Sequence, residues 1–424
     1  MPPGAASEGR CIIANDNTAG YNPRNVMVTM VEQFQSCSKR RHCVWLDTAS
    51  GEGHSLLAAE PVKVFRAKGE HGVFERLRAE LEGWSGYAIG YFGYDLKNEI
   101  ECLPARAVDD LGLPDCWFGF YDDVTRCTNR RLGGSRERPG TGATATSNFT
   151  RDSYRAMVLR AKEYIAAGDI YQVNLSQRFQ CDVDASPADV YLALRTTNPA
   201  PYCAYLDIGD AQILSSSPEC FLNIHDRHVV TRPIKGTIPR ERDSNELLRS
   251  PKDNAELVMI TDLERNDLGK VCDFGSVAVR ELKRVETYAT VHHLVATVEG
   301  TLRRDVSHVD CVCACFPGGS ITGAPKIRAM EIIDELEPHA RGVYCGAIGY
   351  FGPNRESHFN IAIRTVVYQS RACRAESGEA REGGRLTFHA GGGIVADSEP
   401  DAEYDETLAK ARGILNAIEQ LRVR

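Results

Sequence analysis

The sequence predicts an α+β fold in two parts, on three observations. Its 424 residues exceed the ~250–300 at which a single hydrophobic core stops growing. Residues 130–147, RRLGGSRERPGTGATATS, mix Gly, Pro, Ser, Thr and like charges without apolar periodicity, as a linker or long surface loop does. On both sides of it, strand-like and helical segments follow one another in mixed order. The expected parts are a smaller N-terminal region, 1–147, ending in that linker, and a larger region, 148–424.

Taken in order, YAIGYFGYDL (87–96) is the clearest strand of the first part. In the second, SYRAMVLRAKEYIAAGD (153–169) is an amphipathic helix ended by Gly168, and IYQVNLSQRF (170–179) alternates as a strand. VVTRPIK (229–235) reads as a strand whose Pro233 cannot donate to a ladder, so it lies at an edge or ends there, broken by Gly236. Lys235 shares a face with Thr231 and Pro233, and solvent is its ordinary destination. Asp253 precedes the apolar run LVMITDL as an N-cap, with Glu256 as its capping-box partner. PGGSITGAPKIRAMEIIDEL (317–336) sets a flexible loop before a helix with Pro325 in its first turn, leaving backbone N–H groups for an anion. It is no phosphate-binding P-loop, because Ala324 and Pro325 follow Gly323.

HFNIAIRTVVY (358–368) reads as one strand with Asn360, Ala362 and Arg364 on one face, a setting for a bidentate carboxylate contact. Residues 371–384 read as an exposed hairpin loop, and HAGGGIVADS (389–398) follows a strand with three glycines that permit close backbone approach. On the last helix Glu403, Glu406 and Lys410 share one face, where a solvated Glu–Lys pair is the plain alternative to a site. Glu219, in SSSPECF beside a turn-forming proline, is the remaining acidic candidate.

Composition narrows the classes. Hydrophobic residues make up 42% and charged residues 25%, ordinary for a soluble globular protein. A net charge of −8 without a basic stripe argues against nucleic acid as a partner. The N-terminus lacks a charged segment followed by an apolar one, and no run of about 18 apolar residues occurs. The expectation is a cytoplasmic protein without a membrane span. The fifteen cysteines are scattered without paired CxxC spacing, and CVCACF (311–316) reads as core rather than a zinc site.

In order, PIKGT, SPE, ELVMITDLERND, SITGAPK, the AIR segment, GGGIVADS and EYDET resemble the chorismate-utilising enzyme family. The resemblance spans nearly all of 150–424. It implies an anthranilate synthase component I-like fold, a layered β-sandwich flanked by helices with a smaller N-terminal subdomain. Among its branches, anthranilate synthases typically read PIAGT where aminodeoxychorismate synthases read PIKGT, as here, and GYAIGYFGYDLKNEIE is similar to the latter. Water-adding isochorismate and salicylate synthases carry a lysine where this sequence has Gln172, which disfavours water activation.

Carried over motif by motif, the resemblance implies that Glu256 and Glu406 hold Mg²⁺ with Glu403 assisting. It makes Lys235 a covalent nucleophile and Glu219 the general acid and base. Gln172, Gly236, Thr237, His293, Thr322, Tyr344, Arg364, Gly391, Gly392, Gly393 and Lys410 line the chorismate pocket. The implied reaction is amination of chorismate at C4 to 4-amino-4-deoxychorismate, feeding 4-aminobenzoate and folate. With no GxCxG-type nucleophile elbow in the chain, ammonia comes from a separate glutamine amidotransferase subunit. The alternatives are anthranilate synthase component I and a catalytically silent chorismate-binding or partner-binding homologue. The tryptophan-sensing LLES motif has as its nearest match SLLAAEP, with Ala58 and Ala59, so feedback inhibition is not expected.

Overall fold

The structure, a computed structural model, describes residues 23–49, 53–129, 145–288, 291–371, 373–374, 380–381 and 383–422. Most of the predicted linker, 130–144, lies outside them. Two ten-stranded sheets dominate, with every ladder between their strands antiparallel. In the first, Gln172–Val183, Gly384–Ile394, Thr365–Ser370, Gln212–Ser217 and Tyr202–Asp207 lead to Val44–Asp47, Gly53–Ala58 and Thr125–Asn129. In the second, Ile234–Pro239, Val291–Thr301, His228–Arg232, Cys220–His225, Glu356–Ile361 and Ala347–Gly352 lead to Tyr87–Phe92, Cys116–Tyr121 and Lys63–Ala67. Strands from the N-terminal region thus extend both sheets, and the two regions share a core.

That core has three main layers. Between the sheets, Val44, Ile89, Trp117, Leu206, Ile213, Ile348 and Val367 interdigitate. On the outer face of the first sheet, Pro187–Thr197 and Pro400–Arg422 bury Tyr191, Leu194, Ile414 and Ile418 against Phe388 and Leu386. On the outer face of the second, Val73–Leu81 and His308–Cys315 bury Phe74, Leu77, Val312 and Cys315 against Phe92, Phe118 and Phe359. Cys311 and Cys315 are fully buried there, as the apolar reading expects. The architecture is the α+β sandwich flanked by helices.

Local sequence explains most elements. Arg151–Ala166 begins at Thr150, whose hydroxyl accepts from the Ser153 N–H in a capping box, and Gly168 just beyond its end adopts φ +82°. Within 371–384, Cys373–Arg374 pairs antiparallel with Ala380–Arg381, while 372, 375–379 and 382 lie outside the described residues.

Five local expectations are corrected. The strand at 87 ends at Phe92, and Tyr94–Leu96 is a short 3₁₀ turn. Gly236 does not end the strand at 229–235: pairing with Val291–Thr301 resumes after Pro233 and runs to Pro239, with a bulge at Gly236, φ +71°. The N-cap of the helix Pro251–Gly269 is Ser250, which accepts from the Asp253 N–H at 3.2 Å, so Glu256 stands in the second turn and caps nothing. The three glycines lie inside the Gly384–Ile394 strand, each opposite a residue of Gln172–Val183. Residues 358–368 are two strands: Glu356–Ile361 belongs to the second sheet and Thr365–Ser370 to the first. A run of β-branched and apolar residues cannot reveal that the chain changes sheets halfway.

Candidate active site

Two such changes of sheet run side by side. Gln212–Ser217 passes through Pro218–Glu219 into Cys220–His225, just as Ile361 passes through 362–364 into Thr365. They bond each other: the Ile361 N–H donates to the Glu219 carbonyl at 3.1 Å, Ser217 Oγ to the Ile361 carbonyl at 2.6 Å, and the Ser216 N–H to the Arg364 carbonyl at 3.0 Å. Arg364 takes a left-handed backbone, φ +49°, a strained conformation for a non-glycine residue. The result is a Glu219 carboxyl and an Arg364 side chain in the wall of one cavity of about 1110 Å³.

The bulge at Gly236 brings Lys235 to the same wall, together with Thr237, His293, Tyr344, Glu256, Glu406, Lys410, Gly391 and Gly393. Twelve of the sixteen predicted site residues therefore line one space. The other four stand behind it. Gln172 is fully buried, with its amide behind Gly393: a Cβ there would sit 2.7 Å from Gln172 Nε2. Thr322 is fully buried and donates to the Gly318 carbonyl at 3.0 Å. Glu403 is buried and accepts from Ser398 Oγ at 2.7 Å. Gly392 faces the last helix, where a Cβ would lie 3.4 Å from Glu403 Oε2 and 3.5 Å from Glu406 Oε1.

The electrostatics divide the acids from the bases. Burial raises the Glu219 carboxyl above the usual range, against the Ser320 hydroxyl and Lys235. Its Oε1 also accepts from the Ile234 N–H at 3.4 Å. Burial lowers Lys235, outweighing Glu256, whose Oε2 lies 3.6 Å from Nζ. His293 is pushed down to about 3 by burial and then by Arg364, and its Nδ1 meets Thr237 Oγ1 at 2.8 Å. Burial would also raise Glu406, but Lys410, at 2.8 Å, with Lys252 and Lys235 holds it low. Glu403 is raised by burial, with Glu406 adding to it.

Carboxylates from two helices far apart in sequence suit Mg²⁺, which takes one or two carboxylates and fills its shell with water and substrate oxygens. Among the described residues no three acidic, histidine or cysteine side chains cluster closely enough to enclose an ion alone. The Glu403 and Glu406 carboxylates both lie beside Gly392. The donor set fits an ion shared with a substrate.

Several wall residues escaped the sequence reading. Asn174 and Ser320 line the cavity, and Asn174 Nδ2 donates to the Ser320 carbonyl at 2.6 Å. Asn174 lies two residues from Gln172 on one strand face, a parity signal available in IYQVNLS. His389 also lines the wall and carried no such signal. Behind it all, buried Glu264 accepts from the Gly319 N–H at 3.1 Å and so supports the turn that presents Ser320. Burial, and then Asp267, push Glu264 up to about 8.

A family model described as chorismate binding enzyme matches residues 41–416. The chain belongs to that family. It is 42% identical over 400 residues to the aminodeoxychorismate synthase component 1 of Escherichia coli, covering 88% of this chain and 85% of that one. It is also 40% identical over 390 residues to the anthranilate synthase component 1 of Thermus thermophilus, covering 82% of each. In structure it matches anthranilate synthase component I from Streptococcus pneumoniae with a TM-score of 0.73 at 30% identity, over 85% of this chain and 92% of that one. This protein is a chorismate-utilising enzyme. Among the described residues no helix is long and apolar enough to cross a membrane.

Proposed function

We propose that the chain aminates chorismate at C4 with ammonia, giving 4-amino-4-deoxychorismate for 4-aminobenzoate and folate synthesis. The observation that carries this reading is the amine of Lys235: it stands in the cavity wall at a bulge, with its side chain 12% exposed, where burial favours the neutral form. A neutral lysine is a nucleophile; the alanine typical of anthranilate synthases has none.

Lys235 attacks ring C2, both ring double bonds shift (C1=C2 to C1=C6 and C5=C6 to C4=C5), and the C4–O bond breaks. Glu219, whose protonated form burial favours, gives its proton to the departing hydroxyl, which leaves as water. Ammonia then bonds to C4, both double bonds shift back, and the C2–N bond breaks to free Lys235. The proton shed by the new amine returns to Glu219, so the sum is chorismate plus ammonia to aminodeoxychorismate plus water. Arg364 and Lys410 offer cations to a doubly anionic substrate, while Tyr344, the Thr237–His293 pair and the glycines at 236 and 391–393 shape the wall, with Gln172 and Thr322 behind it. Glu256 and Glu406, with Glu403 assisting, would hold Mg²⁺, which would supply charge neutralisation for the anionic substrate.

Ammonia is expected from a separate glutamine amidotransferase. The test is product identification from chorismate, Mg²⁺ and either ammonium or glutamine with the isolated chain. Aminodeoxychorismate from ammonium alone is expected. Anthranilate with released pyruvate would assign the rival branch, no turnover would assign a silent homologue, and glutamine-dependent turnover would overturn the separate amidotransferase.

A further inference from the structure

Cys37 and Cys43 bring their sulfurs together away from the cavity: the Cys43 S–H donates to Cys37 Sγ at 3.1 Å. Cys37 ends the first helix, Pro23–Cys37, and Cys43 stands just before the strand Val44–Asp47. Between them, residues 38–42 form a turn in which Lys39, Arg40 and Arg41 are exposed. Neither cysteine lines the cavity, and the reaction proposed above uses neither.

Core cysteines ordinarily act as small apolar side chains. Cys311 and Cys315 fit that description, since they touch one another one turn apart on a helix and neither has any exposed surface. The pair at 37 and 43 departs from it. Cys43 is fully enclosed, but Cys37 keeps 8% of its surface. The bond from Cys43 holds the Cys37 thiol below its usual range, against burial, and the Arg40 guanidinium adds to the effect. The same bond, with burial, raises Cys43. Thiolate character therefore falls on the cysteine that reaches the surface, with a second thiol already against its sulfur. That is the arrangement in which cysteines oxidise reversibly. Closing the pair to the ~2.05 Å of a disulfide asks the sulfurs to approach by about 1 Å, within the reach of side-chain torsions.

We propose that Cys37 and Cys43 form a site of reversible oxidation by hydrogen peroxide, with Cys37 as the attacking sulfur and Cys43 as the resolving one. The Cys37 thiolate bonds to one peroxide oxygen, the O–O bond breaks, and the other oxygen leaves as hydroxide and takes up a proton to become water. Cys43 Sγ then bonds to Cys37 Sγ, the S–O bond breaks, and the departing hydroxide leaves as a second water with the Cys43 proton. The two sulfurs lose two electrons and the peroxide gains them. A small thiol reverses the change by exchange. The closed bond ties the end of the first helix to the first strand, where Phe34 packs on Trp45.

The test oxidises the reduced chain with hydrogen peroxide, alkylates the remaining thiols in denaturant and digests with trypsin, which cuts after Lys39, Arg40 and Arg41 and so separates the two cysteines. The expected result is a pair of peptides joined through Cys37 and Cys43, lighter by two hydrogens than their sum and parted by dithiothreitol, while Cys311 and Cys315 are fully alkylated. In Cys43→Ala the joined pair is lost, and dimedone captures a sulfenic acid at Cys37. The proposal is overturned by full alkylation of both cysteines at a dose that oxidises exposed Cys102, by a bond from either to a third cysteine, or by no dimedone capture at Cys37 in the folded variant. If Cys43→Ala fails to fold, the joined peptides of the parent chain decide by their presence or absence at that dose.

Discussion

Replacing Lys235 separates chemistry from stability because the two respond on different scales. At 3.6 Å from Glu256 Oε2, a charged Lys235 would gain a gross attraction of about 5 kcal/mol at an effective dielectric constant of ~20, but burial favours its neutral form. Desolvating the two ions costs several kcal/mol each. Lys235→Ala removes an amine that burial holds toward its neutral form, so little ion-pair energy is lost and the net change is about 1 kcal/mol. In a chain of this length that moves the melting temperature by about 1 °C. Activity behaves otherwise: a nucleophile forming a covalent adduct has no substitute in the wall, and Lys235→Ala loses amination by orders of magnitude. Lys235→Arg fails equally, because guanidinium stays protonated. Thermal melts, amination rates and intact-protein mass spectrometry check this together. Chorismate and Mg²⁺ without ammonia should leave protein heavier by chorismate minus water, mapped to the PIKGT peptide. An Arg variant clearly better than Ala, or near-normal amination by Ala with no adduct in the parent, would refute the covalent role and leave Lys235 a charge.

Two further outcomes follow from the carboxylates. Glu256→Gln and Glu406→Gln should each abolish Mg²⁺-dependent turnover with melting temperatures nearly kept, since neither caps a helix; Mg²⁺ titrations of activity beside thermal melts check it. Glu264 keeps its proton to about pH 8 in the folded chain and loses it near 4.3 when unfolded. Between those values the folded state binds more protons than the unfolded one, so stability falls as pH rises through the window. Glu264→Gln, which cannot ionise, should flatten that fall, giving a variant more stable relative to its parent at pH 9 than at pH 5 in denaturant titrations.

The sequence already exposed what depends on residue type and order. Seven motifs in order point to one substrate, and twelve of the sixteen residues that the resemblance names meet in one cavity. What stayed hidden depends on which strand lies opposite which. Nothing local in HFNIAIRTVVY says that Ile361 and Thr365 serve different sheets, yet that crossing is what sets Arg364 in the wall. Gly236 reads as a breaker because a glycine at a bulge and a glycine after a strand look alike until the partner strand is known. Asp253 reads as the cap because it stands nearer the apolar run, while Pro251 marks the true start after Ser250. His389 has no motif of its own, since its contacts, Ser176 and Tyr344, are far away in sequence.

The sharing of both sheets by the N-terminal strands carries a cost during synthesis. Tyr87–Phe92 pairs on one side with Cys116–Tyr121, made soon afterwards, but its other partner is Ala347–Gly352. Val44–Asp47 likewise waits for Tyr202–Asp207. At ribosomal rates the gap between Phe92 and Ala347 lasts on the order of ten to fifty seconds. Through that interval an apolar strand, buried once folded, offers an open edge on the emerging chain. A fragment ending before residue 347 keeps that edge permanently, so the aggregation hazard of a truncated product is set by the strand order of the finished sheet.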